Sequence, residues 1–207
     1  MMPYRLILFA IAGLLAGALA AAEEQNDLVA VTSLSANIRL DIRYATTNNF
    51  TGRQVYPCAG AFLRRTAALK LARAQAMLEE RGLALKVYDA YRPLSVQKIF
   101  WQIVPDERYV ADPAKGSRHN RGSAVDVTMV DLKTGRELPM PSAFDDFSPR
   151  AGYAFTNLPP EAVSNRALLR AVMCACGFVP FESEWWHFDD ADWQSNPVLD
   201  IPMESLP

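Results

Sequence analysis

Two histidines occur in the 207-residue chain, and each stands beside carboxylates. His119 lies in SRHNRGSAVDVTMVD, residues 117–131, ahead of Asp126, and His187 closes ESEWWH behind Glu184. Two imidazoles and an aspartate make three ligands for a divalent metal, with a fourth position left for water. That is the layout of catalytic rather than structural zinc. Glu184 then has the right chemistry to take the proton from a water acidified at the metal. Trp185 and Trp186 would keep bulk water out and hold the imidazoles in one orientation. Each cluster also has a plainer reading, a satisfied histidine–carboxylate pair, and spacing alone does not separate the two.

The elements that must position these groups follow from periodicity. Residues 123–132 alternate as a strand does, with Asp126 and Thr128 on one face and Val125, Val127 and Met129 on the other. Gly122 suits the tight bend that brings the His119 loop back over that strand. Further strands are expected over residues 37–45, 83–91 and 184–189. Helices are expected from Arg64 to a stop at Gly82, over residues 94–104 before Pro105, and from Pro159 and Pro160 to Gly177. Lys133-Thr134-Gly135 reads as a hairpin turn. Strands and helices do not alternate regularly. The expected class is therefore α+β, a single domain with a mainly antiparallel central sheet flanked by helices and the metal site at the sheet.

Composition bounds the partners. Half of the chain is apolar, the formal net charge is −2, and Lys and Arg form no run, so neither nucleic acid nor an anionic membrane surface is favoured. Arg5, an uncharged stretch from Leu6 to Ala22, and small residues at Ala18, Ala20 and Ala22 follow the pattern of a secretory signal peptide, residues 1–22. Cleavage falls before Ala21 or Glu23, the alternative being an uncleaved anchor. Residues 23–207 then make one catalytic domain, with no stable membrane anchor and a periplasmic location. Three cysteines, Cys58, Cys174 and Cys176, permit one disulfide in that compartment. Cys58 with Cys174 or Cys176 is the preferred pair, against three unpaired buried thiols.

The two clusters also carry a resemblance. Ser117-x-His119-x-x-Gly122-x-Ala124-x-Asp126, followed by Glu184-x-Trp186-His187, resembles the signature of the zinc D,D-peptidases, the group of VanY-type carboxypeptidases and VanX-type dipeptidases. The resemblance implies one zinc ion per chain held by His119, Asp126 and His187, with Glu184 as catalytic base. Residues 41–57, YDAYRP (88–93) and FDDFS (144–148) are similar to the dipeptidase branch. They imply Arg92 as the group that stabilises the transition state and Asp145 as the receiver of the substrate ammonium. Ser117 and Tyr44 are weaker candidates for contacts with the substrate termini. Without the resemblance, Arg92 reads as a surface strand end and Asp145 and Asp146 as a solvated turn or helix cap. The implied reaction is hydrolysis of D-alanyl-D-alanine, in cell-wall dipeptide turnover. The alternatives are a D,D-carboxypeptidase acting on peptidoglycan stem peptides and a zinc-holding domain that only binds cell-wall peptide. Selectivity for D,D substrates rests on the resemblance alone, and the sequence does not report the oligomeric state.

Overall fold

The computed structural model describes residues 27–206, so the proposed signal segment lies outside the described residues. The elements in chain order are β1 (Leu28–Ala30), β2 (Arg39–Leu40), β3 (Phe62–Arg64), α1 (Arg65–Glu79), β4 (Leu83–Asp89), α2 (Leu94–Ile103), β5 (Ala124–Asp131), α3 (Pro160–Ala175), β6 (Phe178–Phe181) and β7 (Glu184–Asp190). Five strands form the main sheet in the order β2-β4-β5-β7-β6. Only the β2–β4 pair is parallel; β4–β5, β5–β7 and β6–β7 are antiparallel. The expected α+β class is therefore observed. A separate antiparallel pair, β1–β3, was not anticipated.

β5 is the middle strand, and its residues from Ala124 to Val130 are all buried. Covered on both faces, it must take its one charged interior residue, Asp126, into a site that compensates it. α1 buries Ala67, Ala68, Leu71, Ala74, Gln75 and Leu78, the spacing of a helix packed along one stripe. Gln75 is buried on that stripe because its side-chain oxygen accepts the amide of Leu85 at 2.7 Å, locking α1 to β4. α3 packs against β6 and α1.

Three local expectations are adjusted. Residues 37–45 pair for only two positions, then turn through a 3-10 segment at Arg43–Ala45. The Tyr44 carbonyl accepts the amides of Val55 at 2.9 Å and Tyr56 at 2.8 Å, so its backbone bonds to a distant segment instead of extending the strand. The turn after β5 does close, with Asp131 N donating to Arg136 O at 2.9 Å, but its return limb is a single bridge between Val130 and Glu137. The cysteines form no disulfide: Cys58 is half-buried, Cys174 exposed and Cys176 buried. Cys174 faces outward from α3, whereas the Cys176 thiol lies 3.6 Å from Met77 Sδ and packs as a small apolar group.

One glycine ties this frame to the histidine loop. Gly122 follows the 3-10 turn His119–Arg121 with φ 65°, and its carbonyl accepts the amide of Arg64 at 2.9 Å. A Cβ there would stand 2.5 Å from Leu28 Cδ2 and 3.2 Å from Arg64 N. Left-handed strain and the clash act together, so Gly122→Ala should destabilise the metal-free protein by about 2 kcal/mol or more, read from urea unfolding.

Candidate active site

Sheet register assembles the site. Asp126 of β5 is the direct partner of His187 on β7 and of Asp89 on β4. Asp89 reaches that row because the β4–β5 register shifts between Val87 and Asp89, a bulge that re-aims the side chain. A second irregularity works at Glu184. Residues three apart in a regular strand face opposite ways. The β6–β7 pairing jumps from Pro180↔Phe188 to Phe181↔Glu184, and Glu184 Oε2 comes to 3.9 Å from His187 Nδ1. His119 arrives from its 3-10 turn. Its Nδ1 meets the Ala90 carbonyl at 2.7 Å, its amide donates to Ser117 Oγ at 3.2 Å, and its carbonyl accepts from Arg92 N at 3.1 Å.

Three buried atoms then converge. His187 Nδ1 is 3.0 Å from Asp126 Oδ1, His119 Nε2 is 3.2 Å from His187 Nδ1, and His119 Nε2 is 3.5 Å from Asp126 Oδ1. Four ligands placed tetrahedrally at ~2.0–2.1 Å from a zinc-sized ion are separated by about 3.3 Å, so this triangle already has the right edges. Both histidines have their other ring nitrogen occupied, by Ala90 O for His119 and by Asp189 Oδ1 at 2.9 Å for His187. Nitrogen and oxygen donors in this arrangement fit a divalent transition metal. Burial pushes the Asp126 carboxyl up, but the two imidazoles outweigh it and hold it well below the usual carboxylate range. Burial also pushes up the Glu184 carboxyl, only partly countered by His187.

Arg92 is not a surface strand end. It is 8% exposed, and its guanidinium donates to Asp89 Oδ2 at 2.6 Å through Nη2 and 3.2 Å through Nε, and to Gln97 Oε1 at 2.8 Å through Nη1. Burial alone would lower its pKa, yet the Asp89 carboxylate more than offsets that and raises it above the ordinary value. Its plane lies over the Phe100 ring, 4.7 Å from the centroid. These three bonds leave two of its five donors for another acceptor.

Asp145 and Asp146 divide the two roles open to them in the sequence. Asp146 is the turn residue, accepting Ser148 N at 2.8 Å. Asp145 adopts φ 59° and turns inward, where Tyr44 Oη donates to it at 3.0 Å and Phe50 N at 3.4 Å. Tyr44 is thus tied to Asp145, and the Ser117 hydroxyl is tied to the His119 amide. All eight residues singled out in the sequence line one cavity of about 130 Å³, together with an aromatic wall that includes Phe50, Phe100 and Phe147. Asp89, Gln97 and Asp189 were not singled out. The i to i+3 spacing of Asp89 and Arg92 and the i to i+2 spacing of His187 and Asp189 were signals available for two of them.

Burial raises the Asp145 carboxyl from 3.8 to about 7. Between those values the unfolded chain has released the proton that the folded protein still holds, so Asp145 lowers stability progressively as pH rises through that window. Metal-free Asp145→Asn should therefore gain stability over wild type as pH rises from 3.8 to about 7 and hold that gain above it, read as urea midpoints.

A family model described as D-ala-D-ala dipeptidase matches residues 24–202. The chain is 38% identical over 176 residues to a D-alanyl-D-alanine dipeptidase of Escherichia coli (strain K12), covering 85% of this chain and 91% of that protein. It is 33% identical over 189 residues to one from Streptomyces coelicolor, covering 79% and 91%. To one from Enterococcus faecium it is 31% identical over 191 residues, covering 81% and 93%. With nearly its whole described length matched and its buried histidine–aspartate cluster in place, the chain belongs to the D-ala-D-ala dipeptidase family of M15 peptidases, a metal-dependent group.

Proposed function

We propose that this protein hydrolyses the dipeptide D-alanyl-D-alanine to two D-alanines, using one zinc ion held by His119, Asp126 and His187. The observation that carries the reading is the pairing, in one cavity, of a three-ligand cluster with a half-buried carboxylate, Asp145, placed to receive an ammonium group. A zinc ion bound there supplies Lewis acidity, polarising a carbonyl and bringing the pKa of a water towards neutrality.

The chain's own residues supply the rest. Glu184, beside His187 and raised by burial, takes the proton from the attacking water and returns it to the departing amine nitrogen as the C–N bond breaks. The two uncommitted donors of Arg92 face the negative charge that grows on the carbonyl oxygen. The guanidinium is held in place by Asp89 and Gln97, so little reorganisation accompanies the reaction. Asp145 receives the substrate ammonium, with Tyr44 Oη fixing its orientation. Ser117 holds the His119 segment and offers its hydroxyl at the cavity wall.

The amine side of the cavity favours a dipeptidase over a carboxypeptidase. Asp145 closes the amine side, where a carboxypeptidase must admit the remainder of a stem peptide. Phe50 and Phe147, with ring centroids 5.6 Å apart, add apolar cover on that same side. The uncharged run in residues 1–22 supports export to the periplasm, where the substrate would come from cell-wall turnover.

Two measurements test this. Purified protein with zinc should cleave D-Ala-D-Ala and leave N-acetyl-D-Ala-D-Ala almost untouched; preference for the acylated compound would overturn the dipeptidase reading in favour of the carboxypeptidase. Glu184→Gln should lower kcat by at least ~100-fold while zinc content stays at one per chain. Wild-type turnover in that variant would remove Glu184 from the mechanism.

A further inference from the structure

The two histidines of the cluster are oriented by different kinds of partner. His119 is held by a backbone carbonyl, Ala90 O at 2.7 Å, which no side-chain substitution removes. His187 is held by a side chain: its Nε2 lies 2.9 Å from Asp189 Oδ1. Asp189 follows His187 by two positions on β7, on the same face of the strand, and is itself buried. Its other oxygen is 3.6 Å from Nε of Arg118, whose guanidinium lies 4.8 Å over the Trp193 ring. Arg118 is the residue immediately before His119. The Arg118–Asp189 ion pair therefore joins the turn that carries one histidine to the strand that carries the other.

A neutral imidazole has one N–H and one lone pair, and whichever nitrogen donates decides which can ligate. Carboxylates only accept, and His187 has one at each ring nitrogen; with an ion taking the Nδ1 lone pair, the Asp189 contact is the one that holds the hydrogen on Nε2. Nδ1 is the nitrogen that faces Asp126 Oδ1 at 3.0 Å and His119 Nε2 at 3.2 Å. We infer that Asp189, anchored by Arg118, is the positioning residue of the metal centre: it fixes the His187 tautomer and ring plane and so sets the affinity for the ion. The inference rests on reading His119, Asp126 and His187 as the metal ligands, and does not depend on the substrate.

The test measures metal binding by the whole protein, apart from turnover. Zn²⁺ affinity is obtained by competition with a chromophoric chelator for wild type, Asp189→Leu, Asp189→Asn and Arg118→Met. Asp189→Leu should weaken binding ~10–100-fold, the usual effect of removing such a partner, and should alter the visible spectrum of the Co²⁺-substituted protein. Asp189→Asn keeps an acceptor and should recover part of the loss. Arg118→Met should lose about threefold or more. Wild-type affinity and an unchanged Co²⁺ spectrum in Asp189→Leu overturn the inference. If that variant does not fold, wild-type affinity in both Asp189→Asn and Arg118→Met overturns it. A wild-type protein that binds no Zn²⁺ stoichiometrically defeats the ligand assignment, and the inference with it. Zn²⁺ binding by wild type without D-Ala-D-Ala hydrolysis defeats the proposed function alone.

Discussion

The burial of Asp126 is the constraint around which the molecule is organised. A carboxylate in the middle of a central strand, covered on both faces and 3% exposed, has little access to bulk water and must be compensated locally. The compensation comes from β7, where His187 is its direct cross-strand partner, and from the 3-10 turn that places His119 against it. Two imidazoles and a carboxylate with their free atoms 3.0–3.5 Å apart satisfy one another in part and form a ready-made cation site. Stability and metal binding are thus requirements on the same atoms.

A second buried carboxylate extends the row. Asp89 accepts from Tyr56 Oη at 2.7 Å and from Arg92, so its charge is matched chiefly by the guanidinium, with His119 Nδ1 farther off at 3.8 Å. This separates the site electrostatically. Arg92 provides fixed positive charge on one side, held by Asp89 and by Gln97, while Glu184 and Asp145 are carboxyls pushed up by burial on the cavity's other walls. Groups whose environments drive their pKa values apart can divide acid, base and electrostatic roles within a small volume. The aromatic side chains around Tyr44, Phe50 and Phe100 supply the low-dielectric surroundings that produce those shifts.

The backbone departs from regularity where chemistry requires it. Gly122 takes a left-handed conformation to return the histidine turn to the sheet, and Asp145 adopts φ 59° without being glycine. β4 shifts register to deliver Asp89, and β7 shifts to deliver Glu184 beside His187. Such features persist only where surrounding contacts over-determine them. Here those contacts include Arg64 N on the Gly122 carbonyl and the Tyr44–Asp145 hydrogen bond.

Much of this was readable in the chain itself. Alternation in residues 123–132 identified the central strand, and the Ala- and Leu-rich run from Arg64 to the stop at Gly82 identified the helix at α1, because both signals are properties of the local chain. The scarcity of histidine pointed to His119 and His187, and motif resemblance assigned roles to Glu184, Arg92 and Asp145. Other features depended on partners distant in sequence. Residues 37–45 alternate like a strand, but Tyr44 bonds across to residues 55 and 56 and ends the pairing early. Paired cysteines were plausible by count, yet Cys174 faces outward from α3 and Cys176, at the cap that follows it, packs into the core. Asp89 and Asp189 were not singled out in the sequence. The types and order of the reactive groups are local facts and were settled by the sequence. Which of them share a face, and which second carboxylate holds which cation, was decided by strand register and bulges, since these come from pairing between segments and not from either segment alone.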